Sequence, residues 1–288
     1  MSEQTSEVKG SSEGYPKESV EEVRKILQSQ LESHKDSWDL VHYEDLLRDD
    51  NLVRRYMRRR GGRVEQSAVF ISSALQWRKE MTISELTDQS FPSEFYRANG
   101  MFVHGEDVSG NVVLYIRVAH TFNSPEIAPL LKKFIAYQMC KADRLAAMKG
   151  AEFGWVEVFE CSNAGIRNAD ADLLGFINST LKNYFPAGQK YILVVNLNWL
   201  LRAIKTLSFT WFPAAVKKRI HFCSDKEITV YIPKEKLPDY LGGPESAVEY
   251  KQVPKDCPSL DEMRKSGLIA LDDEAYERGM KFIEKASA

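Results

Sequence analysis

The chain has 288 residues, 43% of them hydrophobic and 11% aromatic, enough to bury a substantial core in one large domain or two closely packed ones. A net charge of -2 and a pI near 6.3 exclude a general attraction to nucleic acid or to anionic membrane, so electrostatic targeting has to come from local asymmetry. Four scattered cysteines, with no C-x-x-C pair and no histidine at zinc-ligand spacing, read as reduced thiols of an intracellular protein that holds no metal and no cofactor.

The opening MSEQTSEVKGSSEG is polar and acidic, without the basic-then-apolar order of a secretory signal. No apolar run reaches the ~18–20 residues of a spanning helix, so any membrane contact is expected to be peripheral. Residues 1–17 read as a disordered N-terminus and 18–85 as a helical bundle. Within the bundle Val20, Val23, Ile26, Leu27 and Leu31 recur at roughly helical spacing, and DLLRDDNLVRRYMRRR continues in short helical pieces. Gly61-Gly62 interrupts them before the amphipathic helix VEQSAVFISSALQWRKE. The arginines Arg54, Arg55, Arg58, Arg59, Arg60 and Arg63 read as a solvated helix face with a few structural ion pairs, ahead of a phosphate or lipid-headgroup role.

Residues 86–244 change character. MFVHGEDVSGNVVLYIRVA predicts a hairpin of 101–104 with 111–118. A helix follows from Pro125 to Lys149, capped by Ser124, then the strand GWVEVFE and a helix from Asp170 to Tyr184. YILVVNL at 191–197 is apolar almost throughout, as expected of a strand covered on both faces. NLNWLLRAIKTLSFTWF at 196–212 supplies a helix and EITVYI at 227–232 the next strand. The order predicts an α/β fold, an N-terminal helical bundle followed by a mostly parallel sheet with crossover helices. The C-terminal tail, 245–288, reads as irregular up to a helix at 272–286.

An α/β chain of this size invites an enzymatic reading, and the motifs oppose it. Neither G-x-S-x-G, G-x-G-x-x-G nor H-E-x-x-H occurs. Gly105 to Gly110 is followed by Asn111 where a phosphate-binding loop needs Lys, and Glu106 and Asp107 would repel phosphate. His34, His42, His104, His120 and His221 are scattered, each better read as a surface or satisfied core residue than as a base or ligand. No catalytic residue is assigned, and a hydrolase is the least favoured function.

From Leu173 to Ser224 there is no Asp or Glu, while seven Lys and Arg give these 52 residues about +7. The helix at 196–212 lies inside this island. Leu200, Ile204, Leu207 and Trp211 make one apolar face, with Trp199, Leu201, Phe209 and Phe212 elsewhere around the axis. Such a helix is either buried on both sides or lids a cavity with one side while the other meets a bilayer. Two or three inserted aromatics would supply several kcal/mol of reversible attachment. Lys205, Lys217, Lys218 and Arg219 would add about 1 kcal/mol each against an anionic leaflet.

LVRRYMRRRGGRVEQSAVFISSALQWRKE, YFPAGQKYILVVNLNWLLRAIKTLSFTWFPAAVKKRIHF and ITVYIPKEKLPDYLGG resemble the CRAL-TRIO lipid-binding domain, over about residues 42–244. The resemblance implies a binding protein in which an apolar cavity holds one lipid or other hydrophobic molecule and a gate helix, here 196–212, opens at a membrane to exchange it. The implied partners are a phospholipid or other hydrophobic ligand and a transient membrane surface, with no nucleic acid. The implied setting is a cytoplasmic monomer, peripherally and transiently membrane-associated. Where phosphatidylinositol-transfer members carry P-E-R, this chain has Pro186-Ala187-Gly188, and a family Thr is Ala215, although Lys218 matches a headgroup-contacting Lys. These departures argue against phosphatidylinositol as the ligand. Candidates for the pocket wall are Tyr115, Val156, Val158, Cys161, Phe176, Val194 and Asn196, each read as plain core ahead of ligand contact, with Ser162 and Lys218 as polar contacts. The alternative is a protein-interaction or small-GTPase regulatory module on the same fold.

Overall fold

The computed structural model describes residues 14–121, 124–165, 168, 171–197 and 217–287. The chain divides into two compact units, Met1–Glu85 with Asn178–Ala187, and Leu86–Ile177 with Gly188–Ala288.

The first unit is built on α1 (Lys17–His34), α2 (Leu40–Arg48), α3 (Asp50–Arg58) and α4 (Val64–Glu80). Helix α1 turns Val20, Val23 and Leu27 inward, and α4 buries Ala68, Ile71, Ala74 and Leu75, the spacing that gives a helix one apolar stripe. Two aspartates start the short helices: Asp39 accepts from the His42 N–H, and Asp49 from those of Asn51 and Leu52. The arginine run of α3 is only partly a solvated face. Arg54 pairs with Asp50 at 3.5 Å, whereas the Arg55 Nε donates to the Ala187 carbonyl at 2.7 Å and the Arg59 Nε to the Phe185 carbonyl at 3.1 Å. The Arg59 guanidinium also reaches the Leu181 carbonyl. These guanidinium groups satisfy carbonyls at and beyond the end of α7 (Ala171–Asn183), where a helix leaves acceptors unmatched and cations are favoured.

The second unit carries α5 (Ser93–Arg97) and a five-stranded sheet in the order β1-β2-β3-β4-β5. Strand β1 (Met101–Glu106) is antiparallel to β2 (Val112–Arg117), matching the expected hairpin, while β3 (Trp155–Glu160), β4 (Gln189–Val195) and β5 (Ile220–Cys223) follow in parallel. Helix α6 (Ala128–Lys149) crosses between β2 and β3 and packs on β1 and β2. Gly154 permits the close start of β3 beside β4, since a Cβ there would lie 2.1 Å from the Gly188 carbonyl oxygen.

Three expectations are corrected. EITVYI is no strand: Ile228–Val230 forms a 3-10 turn, and the fifth strand is IHFC, 220–223. A strand would put Ile228, Val230 and Ile232 on one face, yet Val230 is 71% exposed while Ile228 and Ile232 are fully buried, as the i, i+4 spacing of a helical turn dictates. Helix α6 begins at Ala128, with Pro129 in its first turn, rather than at Pro125; the Ile127 and Ala128 N–H groups close a turn on the Ser124 carbonyl first. The tail is not irregular up to 272. It forms α8 (Leu260–Lys265), capped reciprocally by Ser259 and Glu262, before α9 (Asp273–Ser287). Among the described residues, no helix is long and apolar enough to cross a membrane.

Candidate ligand site

Strand register sorts the candidate wall residues onto opposite faces of the sheet, because successive side chains of a strand alternate. Val113 and Tyr115 of β2 stand level with Val156 and Val158 of β3, and Val158 with Leu193 of β4. This face is closed by Phe102, Ile228, Ile232, Leu237, Leu241 and Tyr250. Tyr115, Val156 and Val158 are fully buried in it, with Tyr115 stacked on Phe102 at 5.2 Å between ring centroids. They are packed core.

The other face holds Phe159 of β3, Ile192 and Val194 of β4, and Ile220 and Phe222 of β5, with Phe159 level with Val194 and Val194 with Phe222. Near β2 and the start of β3 it is covered, Leu114 and Trp155 being buried and the Trp155 indole donating to Asp143 of α6 at 3.1 Å. Toward β5 the cover thins: Phe159, Ile192, Val194 and Ile220 are half-buried and Phe222 is exposed. Buried Cys161 joins Phe159 and Val194 here. Burial pushes its thiol up to about 12, with the neighbouring Glu160 charge adding to the shift, so it is a small apolar contact and no nucleophile. Phe176 lies half-buried on α7 beneath Lys132, whose Nζ is 5.8 Å from the ring centroid. Of the candidate wall, only Cys161 and Val194 share the thinly covered face.

At the carboxyl ends of β3 and β4 the structure brings Asn196 and Ser162 together. Asn196 has a left-handed φ of 53°. Its Nδ2 donates to the Ser162 Oγ at 3.0 Å, and its Oδ1 accepts from the Asp225 N–H at 2.9 Å. One amide thus ties the loop after β3 to the loop after β5, at the end of a parallel sheet where ligands commonly bind. The basic residues lie elsewhere. Exposed Lys218 and half-buried Lys217 and Arg219 precede β5, level with the start of β4, where the Arg219 Nε donates to the Lys190 carbonyl at 2.8 Å. Strand rise separates them from Asn196 by about 20 Å. Lys205 and the candidate gate residues Trp199, Leu200, Ile204, Leu207, Phe209, Trp211 and Phe212 lie outside the described residues.

One functional candidate escaped sequence reading. Glu157 is fully buried on the same face as Phe159 and Ile192, and its Oε2 accepts from Gln189 Nε2 at 2.6 Å. Burial pushes its carboxyl up to about 7, against the opposing pull of the Gln189 hydrogen bond and the Arg219 charge. The signal was the acid inside the apolar run WVEVF. The histidines offer no comparable chemistry: His42 Nε2 is 3.0 Å from the Tyr56 hydroxyl, and burial, with Arg78 and Arg55 nearby, holds its pKa well below the ordinary value. Among the described residues no group of His, Cys, Asp and Glu could hold a metal ion. In the helical unit an open groove of about 630 Å³, lined among others by Arg60, Glu65, Gln76, Trp77, Glu80 and Tyr184, has walls too charged for an alkyl chain.

Comparison with known proteins agrees with this architecture. The family described as CRAL/TRIO domain matches residues 96–243. Patellin-1 of Arabidopsis thaliana is 26% identical over 232 residues, 75% of this chain and 38% of that protein. The Sec14 cytosolic factor of Schizosaccharomyces pombe is 22% identical over 239 residues, 75% of this chain and 82% of that protein. The chain spans between 21% and 38% of the length of the Patellins it matches. A crystal structure of Sfh5 shares the fold, with a TM-score of 0.59 at 14% identity over 89% of this chain and 98% of that one.

Proposed function

The chain belongs to the CRAL/TRIO family, and from that premise we propose that it binds a single lipid or other small hydrophobic molecule and exchanges or presents it at membranes, without catalysis. The supporting observation is the contrast between the two faces of one sheet. On one, Tyr115, Val156, Val158, Leu193 and Val195 are fully buried; on the other, Phe159, Ile192, Val194 and Ile220 are half-buried and Phe222 is exposed at the same depth of the strands. Half-buried side chains forfeit part of the ~1.5–3 kcal/mol that full burial of each would give, and an alkyl chain laid on them would gain ~0.8 kcal/mol per buried CH₂.

The residues in contact with that chain are Phe159, Cys161, Val194 and Phe222, with the bridge of Asn196 and Ser162 closing one end. The segment 196–212 acts as the gate, and Lys205, Lys217, Lys218 and Arg219 assist docking on an anionic leaflet. Phosphatidylinositol is disfavoured, since the turn that would read it is Pro186-Ala187-Gly188. Within the family, LLRDDNLVRRYMRRR, SALQWRKEMTISEL and GMFVHGEDVSGNVVLYIRV resemble the CRAL-TRIO domain of motile sperm domain-containing protein 2, the subgroup to which we assign this domain.

Native mass spectrometry of gently purified protein tests the reading. A lipid adduct above the 32.9 kDa chain is expected, exchangeable on incubation with mixed liposomes. A bare chain before and after that incubation would overturn it.

A further inference from the structure

On the half-buried sheet face, a buried carboxyl oxygen has no hydrogen-bond partner among the described residues. Glu157 sits level with Leu114 of β2 and Ile192 of β4, an acid between two aliphatic side chains. Its Oε2 is held by Gln189, and its Oε1, although buried, has no hydrogen-bond partner among the described residues. Arg219, engaged with the Gln189 and Lys190 carbonyls, acts on it only through space. A buried acceptor left unmatched is destabilising, and an aliphatic residue like those beside it would remove the cost. The Gln189 bond fixes the carboxyl plane, so the unmatched oxygen has a set direction. Phe159 stands two residues along the same strand, about 7 Å away, where the apolar patch of Phe159, Val194 and Phe222 begins.

We propose that Glu157 is the residue that reads the polar end of the ligand, its Oε1 accepting a hydrogen bond from an O–H or N–H group of an amphiphile whose alkyl chain lies along Phe159, Val194 and Phe222. The inference rests on the lipid-binding reading above and narrows it to ligands with a donor at the polar end. An ether or ester that offers only acceptors leaves Oε1 unmatched, and a bare anionic group faces a carboxyl. Gln189 is a positioning residue.

The test uses two probes that differ by one donor, hexadecan-1-ol and hexadecyl methyl ether, offered together from phosphatidylcholine vesicles to the full chain at a pH well above 7, where Oε1 carries no proton and can only accept, and read by native mass spectrometry. Wild type is expected to take up the alcohol about tenfold over the ether, the discrimination of one well-made hydrogen bond. In Glu157→Gln the Gln189 amide claims the new carbonyl oxygen, which leaves an NH₂ donor at the Oε1 position. The preference is then expected to vanish or reverse. Equal uptake of both probes by wild type, or an unchanged preference in a folded Glu157→Gln protein, would overturn the proposal and leave lipid binding standing. Failure of wild type to take up either probe or any vesicle lipid would remove the binding reading itself. A readout independent of the variant is the infrared spectrum of wild type with alcohol minus that with ether. A shifted carboxyl band is expected, and a flat difference in that region would sink the assignment.

Discussion

Glu157 also sets a measurable electrostatic cost on the fold. Its carboxyl titrates near 7 when folded and near 4.5 when unfolded. Between these values the native state holds the proton more tightly, so stability falls as pH rises from about 4.5 to about 7 and is level above that. The loss amounts to about 3 kcal/mol. Urea midpoints of wild type should therefore drop between pH 5 and pH 8, and Glu157→Gln should flatten that part of the profile and exceed wild type at pH 8. Equal profiles would mean that the carboxyl is already ionised in the native state. The acid itself was visible in WVEVF; that its side chain shares a face with Ile192, beside Gln189, depends on a register between strands more than 30 residues apart, which sequence spacing does not encode.

Elements show a similar division between near and distant contacts. Helices α1 and α4 were legible because a 3.6-residue period is a local property. The capping pair Ser259 and Glu262 was local as well, and it marks α8 inside a tail that otherwise reads as irregular. Ser259→Ala should lower stability by about 1 kcal/mol, checked by urea denaturation, with Ser259→Asp retaining most of it. The role of the α3 arginines was hidden, since Arg59 meets carbonyls 122 and 126 residues away. Arg59→Ala is expected to cost about 1.5–3 kcal/mol through lost charge-assisted bonds at the end of α7, and Arg59→Lys to restore little, a point charge being unable to span both carbonyls. Arg58, exposed on the same helix, serves as the control, with Arg58→Ala within about 0.5 kcal/mol of wild type.

At the scale of the whole molecule, the decisive observation among the described residues is that one face of the sheet is fully buried and the other only half-buried toward β5. If the segment 196–212 docks on membranes, Trp211→Asp with Phe212→Asp should reduce co-sedimentation with anionic liposomes by at least about tenfold, because two aromatics inserted in a bilayer contribute several kcal/mol. Retained ligand with lost liposome binding would separate the docking surface from the cavity; unchanged liposome binding would point to partner binding through another surface. Periodicity, cap residues and charge distribution were enough to place a helical bundle ahead of a mostly parallel sheet and to single out an apolar segment in a basic island. All of these are patterns within a dozen or so residues or counts along the chain. Which wall candidates share the half-buried face, where the arginines spend their charge, and that the Glu157 carboxyl lies beside the apolar patch follow from strand register and crossover. Those bring together residues far apart in sequence, and a side chain's face in a sheet reverses with a slip of a single residue.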